Sequence, residues 1–264
     1  MSASHSKSET DRFDVKISVI TATKNSAETL IECLQSLQCQ DHADLEHIII
    51  DGNSTDASLE IIAQNLTPSM VVRSGPDRGI YDALNKGIEI ATGDVIGFLH
   101  SDDVYASPTV LANVAGVLED PKVSGVYGDL EFFSKSNPAR VLRRWKSRPY
   151  RFGDIQLGWM PPHPTLYVRR DFYENLGGFD TSLKIASDYH SVIKLFSDPD
   201  FKPAYLPQTM VRMRWGGAST KSISAIVKKS IEDWSALRRS DFNLLAAAFA
   251  LGSKNARKLT QFLG

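Results

Sequence analysis

Apolar positions along the chain follow two rhythms. Lys16–Thr23, Glu46–Ile50, Met70–Arg73, Val95–Leu99 and Gly125–Gly128 are short runs rich in branched residues. Runs of this length bounded by turn residues predict strands buried on both faces. Between them, apolar residues recur every three or four positions. They do so at Ala27, Leu30, Leu34 and Leu37, at Leu59, Ile62, Ala63 and Leu66, and at Val110, Leu111, Val114, Val117 and Leu118. A further set, Ile80, Leu84, Gly87, Ile88 and Ala91, predicts a helix that faces inward through those residues. Asn25 and Ser26 with Glu28 resemble a capping box, Ser107-Pro108 reads as a cap and first helical position, and Gly93 as a helix stop. Alternating strands and helices predict an α/β fold, a mostly parallel sheet flanked by helices.

Past Asp129 the alternation breaks. Leu130–Phe133 and Val141–Trp145 read as a hairpin, and Thr165–Arg169 as a strand. Pro161-Pro162-His163-Pro164 excludes a helix there, and Arg170–Leu176 is a short helix closed by Gly177-Gly178. Ser187 caps a helix with Asp188 in its first turn. Tyr205 and Val211–Trp215 fall in short extended pieces, and Ile223–Arg239 and Phe242–Leu263 in helices. The last helix combines Leu244–Leu251 with Lys254, Arg257 and Lys258. It is suited either to cover a core or to lie on a membrane surface with its basic residues at the headgroups.

Acids close several predicted strands: Asp51, the pair Asp102-Asp103, and Asp129. In open α/β sheets ligands bind past the carboxyl ends of the strands, so all of these fall on the binding edge. Adjacent carboxylates fit a turn or helix cap, or a hard cation shared with a substrate diphosphate. The net charge is -1 among 264 residues, which offers no field for nucleic acid. Arg140, Arg143, Arg144, Lys146, Arg148 and Arg151 cluster around Trp145, Tyr150 and Phe152, as a solvated strand face or an anion contact. Cys33 and Cys39 form neither a zinc motif nor a disulfide framework, and suggest a reducing compartment. Met1–Asp14 is polar and is expected to be a loose tail rather than a signal peptide.

The motifs follow a familiar order: Ser18–Asn25, Asp51-Gly-Asn-Ser-Thr-Asp56, Asp77-Arg-Gly-Ile-Tyr-Asp-Ala-Leu-Asn-Lys-Gly87, Gly93-Asp94 and Ser101-Asp102-Asp103. His163–Arg170, Gly177-Gly-Phe-Asp180 and Ser187-Asp-Tyr189 continue it. From about Lys16 to about Gly217 the chain resembles the family 2 glycosyltransferases. The resemblance implies a GT-A fold and an inverting transferase that uses a nucleoside diphosphate sugar, with a UDP-sugar as the expected donor, and Mn²⁺ or Mg²⁺. It implies a tail over 1–14, a nucleotide-sugar-binding half over 15–130, an acceptor half over 131–217, and C-terminal helices over 218–264.

Residue by residue, the resemblance assigns Asp188 as catalytic base and Asp103 as metal ligand. It turns Asp102 toward donor ribose or sugar and puts Thr21, Thr23 and Asp51 near the nucleotide. The sequence departs from the usual adjacent acids at Gly52, and Lys24 stands where many relatives carry tyrosine. Arg78 and Asp82 suit phosphate or sugar hydroxyls, or form a structural ion pair. His163 and Trp215 are candidates for the acceptor. Arg214-Trp215 is similar to a motif of membrane-bound synthases but lacks its glutamine-led form, which points to transfer of one sugar at a time. The implied acceptor is a glycan or lipid-linked sugar at the cytoplasmic side of bacterial polysaccharide assembly, and peripheral membrane contact is an expectation for the last helix. A nucleotidyltransferase is disfavoured because Thr21–Asn25 is not a glycine-rich basic loop, and a dehydrogenase because no Gly-x-Gly-x-x-Gly follows the first strand. The non-enzymatic alternative is an inactive sugar-nucleotide-binding scaffold.

Overall fold

The computed structural model describes residues 15–216 and 223–260; the expected tail and Gly217 lie outside them. In chain order the first elements are β1 (Ile17–Thr23), α1 (Leu30–Gln38), β2 (Leu45–Asp51), α2 (Ser58–Gln64), β3 (Met70–Ser74), α3 (Ile80–Ile90) and β4 (Val95–Phe98). They are followed by β5 (Val104–Tyr105), α4 (Val110–Leu118), β6 (Gly125–Phe133), β7 (Val141–Trp145), β8 (Tyr167–Arg169) and α5 (Arg170–Leu176). The last are α6 (Ser187–Ser197), β9 (Pro203–Arg214), α7 (Ile223–Arg239) and α8 (Leu244–Thr260).

The strands form one sheet in the order β3-β2-β1-β4-β8-β6-β9-β5, with β7 added to β6. The β3-β2-β1-β4 part is parallel. Past β4 the sheet is mixed, since β8 runs antiparallel to both β4 and β6, while β6 and β9 are parallel. Alternation along the buried strands divides the core. Ile20, Ile48, Ile96 and Phe98 face a cluster that α3, α6, α7 and α8 complete, while Ile17, Val19, Val95 and Leu99 face α1 and α4. The β4–β8 contact needs glycine at 97. A Cβ there would lie 2.1 Å from Tyr167 Cε1, and the Tyr167 hydroxyl pairs with that of Tyr105 at 2.5 Å.

Several expectations are corrected. Asp129 does not end a strand: β6 runs on to Phe133, and the Asp129 carboxylate accepts Ser147 N–H and the Tyr205 hydroxyl. Residues 203–214 form one strand rather than short pieces. The first residues outside α1 and α4 are Thr29 and Thr109, not Asn25 or Ser107. Ala186 precedes α6, and the Ser187 hydroxyl is buried without a partner. Residues 163–165 form a single 3-10 turn. Gly93 is not a left-handed stop. Its N–H donates to Ser18 Oγ at 2.9 Å, and a Cβ would lie 2.7 Å from that oxygen. Ile80 faces out, 43% exposed, while Tyr81 turns in toward Phe179.

The last helix does cover core. Ala247 and Ala250 are fully buried, and Gly158 has positive φ where α8 crosses it, with Ala250 O 2.2 Å from where a Cβ would lie. Lys254 does not point to solvent: it is 6% exposed and its ammonium lies 3.0 Å from Asp233 on α7. The outer side of α8 exposes Leu244, Leu245 and Phe249.

Candidate functional site

The parallel strands deliver their carboxyl ends to one edge. Thr23 and Asp51 are register partners at the ends of β1 and β2, and the turn after β4 carries His100, Ser101, Asp102 and Asp103. The loops there brace each other. Asn25 and Asn53 adopt positive φ, Asn25 N–H donates to Ser54 Oγ, and Thr55 N–H donates to Asn25 Oδ1. Asp56 accepts Ala27 N–H, so it ties loops together rather than facing a ligand. Ser101 joins this frame through Ser26 Oγ at 2.9 Å and Thr29 Oγ1 at 2.9 Å.

Asp51 is fully buried. Its Oδ2 accepts Ser54 N–H and Ser74 Oγ–H, while Oδ1 has no partner. A Cβ on Gly52 would lie 2.2 Å from Asp77 Oδ2. Asp77 thus takes the space of a side chain at 52, which explains the glycine and sets a second acid beside Asp51 from a different loop. Thr21 is enclosed and its hydroxyl is engaged by His47 Nε2 at 3.0 Å, so of the two threonines only Thr23 keeps an unpartnered hydroxyl. Arg78 and Asp82 bind each other at 2.5 Å, and Lys86 adds a second contact at 3.3 Å. The Arg78 hydrogen bonds hold the Asp82 carboxyl down at about 2.

The two acids after β4 differ. Asp103, the expected metal ligand, is fully enclosed, and neither carboxylate oxygen has a partner. Burial, then the charge of Asp102, pushes its pKa well up, against the nearby Arg214. Asp102 is only half-buried. Of the two, Asp102 is the acid that keeps surface. Among the described residues no three His, Cys, Asp or Glu side chains converge as a metal cage.

Asp188, in the first turn of α6, is half-buried. Its Oδ1 accepts Tyr189 N–H at 2.8 Å, and the Tyr81 hydroxyl shares its proton between that oxygen at 3.1 Å and Ile185 O at 2.8 Å. Burial pushes its pKa up, but Lys229, His163, Lys254 and the Tyr189 N–H outweigh that and hold it below the ordinary aspartate value. Asp102 and Asp188 both act electrostatically on His100, whose imidazole is kept neutral by burial. His163 stacks on Phe98 at 5.4 Å, and burial lowers its pKa to about 4. Trp215 stands at the end of β9 beside Arg214, with its ring 5.6 Å from Phe132. The basic cluster disperses: Arg148 pairs with Asp154, Arg144 with Glu131, and Arg143 lies over Phe132 and Trp145.

The sequence reading gave no role of their own to Asp77, Tyr81 and His100, and took Arg214 only as part of the Arg214-Trp215 motif. Tyr81 shares the helical period of Leu84 and Ile88, which was a signal for its inward side.

A model of the family described as "Glycosyl transferase family 2" matches residues 18–176. The chain belongs to that family. This family 2 glycosyltransferase is similar to "PGL/p-HBAD biosynthesis glycosyltransferase" of Mycobacterium bovis (strain BCG / Pasteur 1173P2), 30% identical over 193 residues, covering 72% of this chain and 73% of that protein. An uncharacterised glycosyltransferase of Mycobacterium tuberculosis is 29% identical over 180 residues, covering 67% of this chain and 68% of that one. Among solved structures, S. aureus TarS in complex with UDP aligns with a TM-score of 0.62 at 18% identity, over 93% of this chain and 72% of that one. The Pyrobaculum calidifontis mannosyltransferase PcManGT, in complex with GDP-Man and Mn²⁺, aligns with a TM-score of 0.64 at 20% identity, over 91% and 69%. The GT-A fold is shared with both. The family match stops before Asp188, so the candidate base and α6 to α8 lie beyond it.

Proposed function

We propose that this glycosyltransferase moves one sugar, with inversion, from a nucleoside diphosphate sugar to a hydroxyl of a glycan or lipid-linked acceptor. The observation that carries the reading is that the parallel strands bring Thr23, Asp51 and the Asp102-Asp103 turn to one edge, while Tyr81 of α3 reaches Asp188 at 3.1 Å. Asp51 and Asp77 would accept from the base, and the unpartnered Asp51 Oδ1 has the lone pairs to do so. Thr23 and the paired Arg78 and Asp82 line the donor side. Asp102, backed by Asp103, would hold Mn²⁺ or Mg²⁺, which when bound neutralises charge on the leaving diphosphate. Asp188 takes the acceptor hydroxyl proton as that oxygen attacks the anomeric carbon. The bonds to its Oδ1 keep it oriented, and Tyr81 holds a proton there because burial and the Asp188 charge raise its own pKa. His163 and Trp215 would border the acceptor. UDP-sugar remains the proposed donor, and a second arm tests GDP-sugars.

The test is thermal shift with UDP-, GDP- and dTDP-sugars, each with and without Mn²⁺. A ligand at a hundred times its Kd adds about 2.7 kcal/mol, a shift of a few degrees. One nucleotide class should raise Tm in a metal-dependent way, and Asp102→Asn should remove the metal dependence. No shift with any donor would favour the scaffold reading.

No described helix is long and apolar enough to cross a membrane. The exposed Leu244, Leu245 and Phe249 support peripheral contact of α8 with an anionic lipid surface, at the cytoplasmic face if the acceptor is lipid-linked. Co-sedimentation with phosphatidylglycerol vesicles should be strong for the wild type and lost in the Leu245→Glu, Phe249→Glu protein. Equal sedimentation of both would refute the contact.

A further inference from the structure

The chain enters α6 through Ile185 and Ala186, which lie just before its first turn and have no partner for their N–H groups within the helix. Here they are matched from outside. Glu232 of α7 sends Oε2 to Ile185 N–H at 2.6 Å and to Ala186 N–H at 3.2 Å. Those two residues directly precede Ser187 and Asp188. The Ile185 carbonyl in turn accepts the Tyr81 hydroxyl that also reaches Asp188. One carboxylate on α7 therefore holds the peptide units on which both the base and its orienting tyrosine depend.

A second contact comes from α8. Lys254 lies 3.2 Å above the Tyr189 ring and 3.0 Å from Asp233 Oδ1, with Asp233 1% exposed and Lys229 3.7 Å from the same oxygen. Charged groups this well enclosed tolerate little displacement, because a buried charge without its partner is costly. Ala236, Leu237, Ala247 and Ala250 then fasten the same helix pair to the core beside Tyr189 and Ile193.

We propose that α7 and α8 are the positioning element of the active site, with Glu232 fixing the entry to α6 and the Lys254–Asp233 pair fixing its flank, so that Asp188 is aimed by helices outside the matched family segment. The proposal rests on Asp188 being the base. Glu232 and Lys254 act through Ile185, Ala186 and Tyr189, so they are positioning residues. The groups that act on Asp188 are Tyr81 from α3, His100 after β4, His163 before β8, Lys229 from α7 and Lys254 from α8, with the acids Glu232 and Asp233 of α7 held on Ile185 and Ala186 and on Lys254.

The experiment compares Glu232→Ala, Glu232→Gln, Lys254→Met and Asp188→Asn in the full chain. It measures kcat, the KM for the donor, and the pH profile of kcat. Misaiming a reacting group by about 1 Å costs up to about 10²-fold, so Glu232→Ala should lower kcat by about tenfold or more with donor KM unchanged. Glu232→Gln keeps an oxygen that accepts both N–H groups and should restore most of that loss. Lys254→Met removes a positive charge near Asp188. That raises the carboxyl pKa, so the acid limb of the profile should move to higher pH. A helix pair that only stabilised the fold would lower Tm in these variants and leave kcat of the folded protein and the acid limb in place, which would overturn the proposal. If Glu232→Ala fails to fold, Glu232→Gln and Lys254→Met decide by the same criterion. Full activity in Asp188→Asn would instead overturn the base reading on which the proposal rests.

Discussion

Asp188→Asn is expected to fold, to bind the nucleotide donor as the wild type does, and to lose about 10²–10⁴-fold in transfer. The fold should survive because asparagine keeps an oxygen at the position of Oδ1. That oxygen can still accept from Tyr189 N–H and the Tyr81 hydroxyl, the two bonds that seat the side chain. The change removes only the ability to take a proton. A sugar hydroxyl is a weak nucleophile until its proton has somewhere to go, so the loss should fall on kcat rather than on donor affinity. In the wild type, Lys229 and Lys254 hold Asp188 ionised despite its burial, so the rate should be flat across neutral pH and fall only on the acid side. Product formation at saturating donor, together with calorimetric titration of the nucleotide, separates the two effects. Wild-type turnover in Asp188→Asn would remove Asp188 from the chemistry.

Features that depend on one element's own pattern were legible in the sequence. The run Val95–Phe98 is buried at every position and ends on the acids, as its composition implied. What was not legible depends on partners far along the chain. The inward choice of Tyr81 over Ile80 is made by Ile185 and Asp188, about a hundred residues later. Asp129 reads as a strand end until Tyr205 and Ser147 supply its donors within a longer strand. Lys254 reads as a headgroup contact until Asp233 is found opposite it. Gly52 reads as a lost acid, and the structure shows Asp77 of a separate loop in that space. Asp102 and Asp103 are the sharpest case: the resemblance assigns one to the donor and the other to a metal, and only packing shows that Asp103 is enclosed while Asp102 keeps surface.

Below about pH 6.5 the protein should lose stability, and His47 should account for a measurable share of the loss. His47 lies fully enclosed in β2, with Nε2 on Thr21 Oγ1 and Nδ1 unpartnered, and burial lowers its pKa from 6.5 to about 4. Above pH 6.5 the imidazole is neutral in both folded and unfolded chains, so it adds no pH dependence. Between 6.5 and about 4 the unfolded chain takes up a proton that the folded chain refuses, and stability falls by about 1.4 kcal/mol per pH unit. Below about 4 the folded form also protonates and the loss levels off, at about 3 kcal/mol in all. His163 acts with the same sign over the same window. Asp103 acts with the opposite sign, because burial raises its folded pKa and the folded form gains a proton first as pH falls. A bulk acid curve mixes these terms, so the His47 share is read by difference. His47→Asn keeps a neutral polar contact for Thr21 but cannot be charged. Denaturant unfolding should find it less stable than the wild type at pH 7.5, with the gap closing by about 2 kcal/mol at pH 5. Parallel stability curves would mean that the folded protein admits the proton, and that β1 and β2 open around His47 more readily than their packing implies.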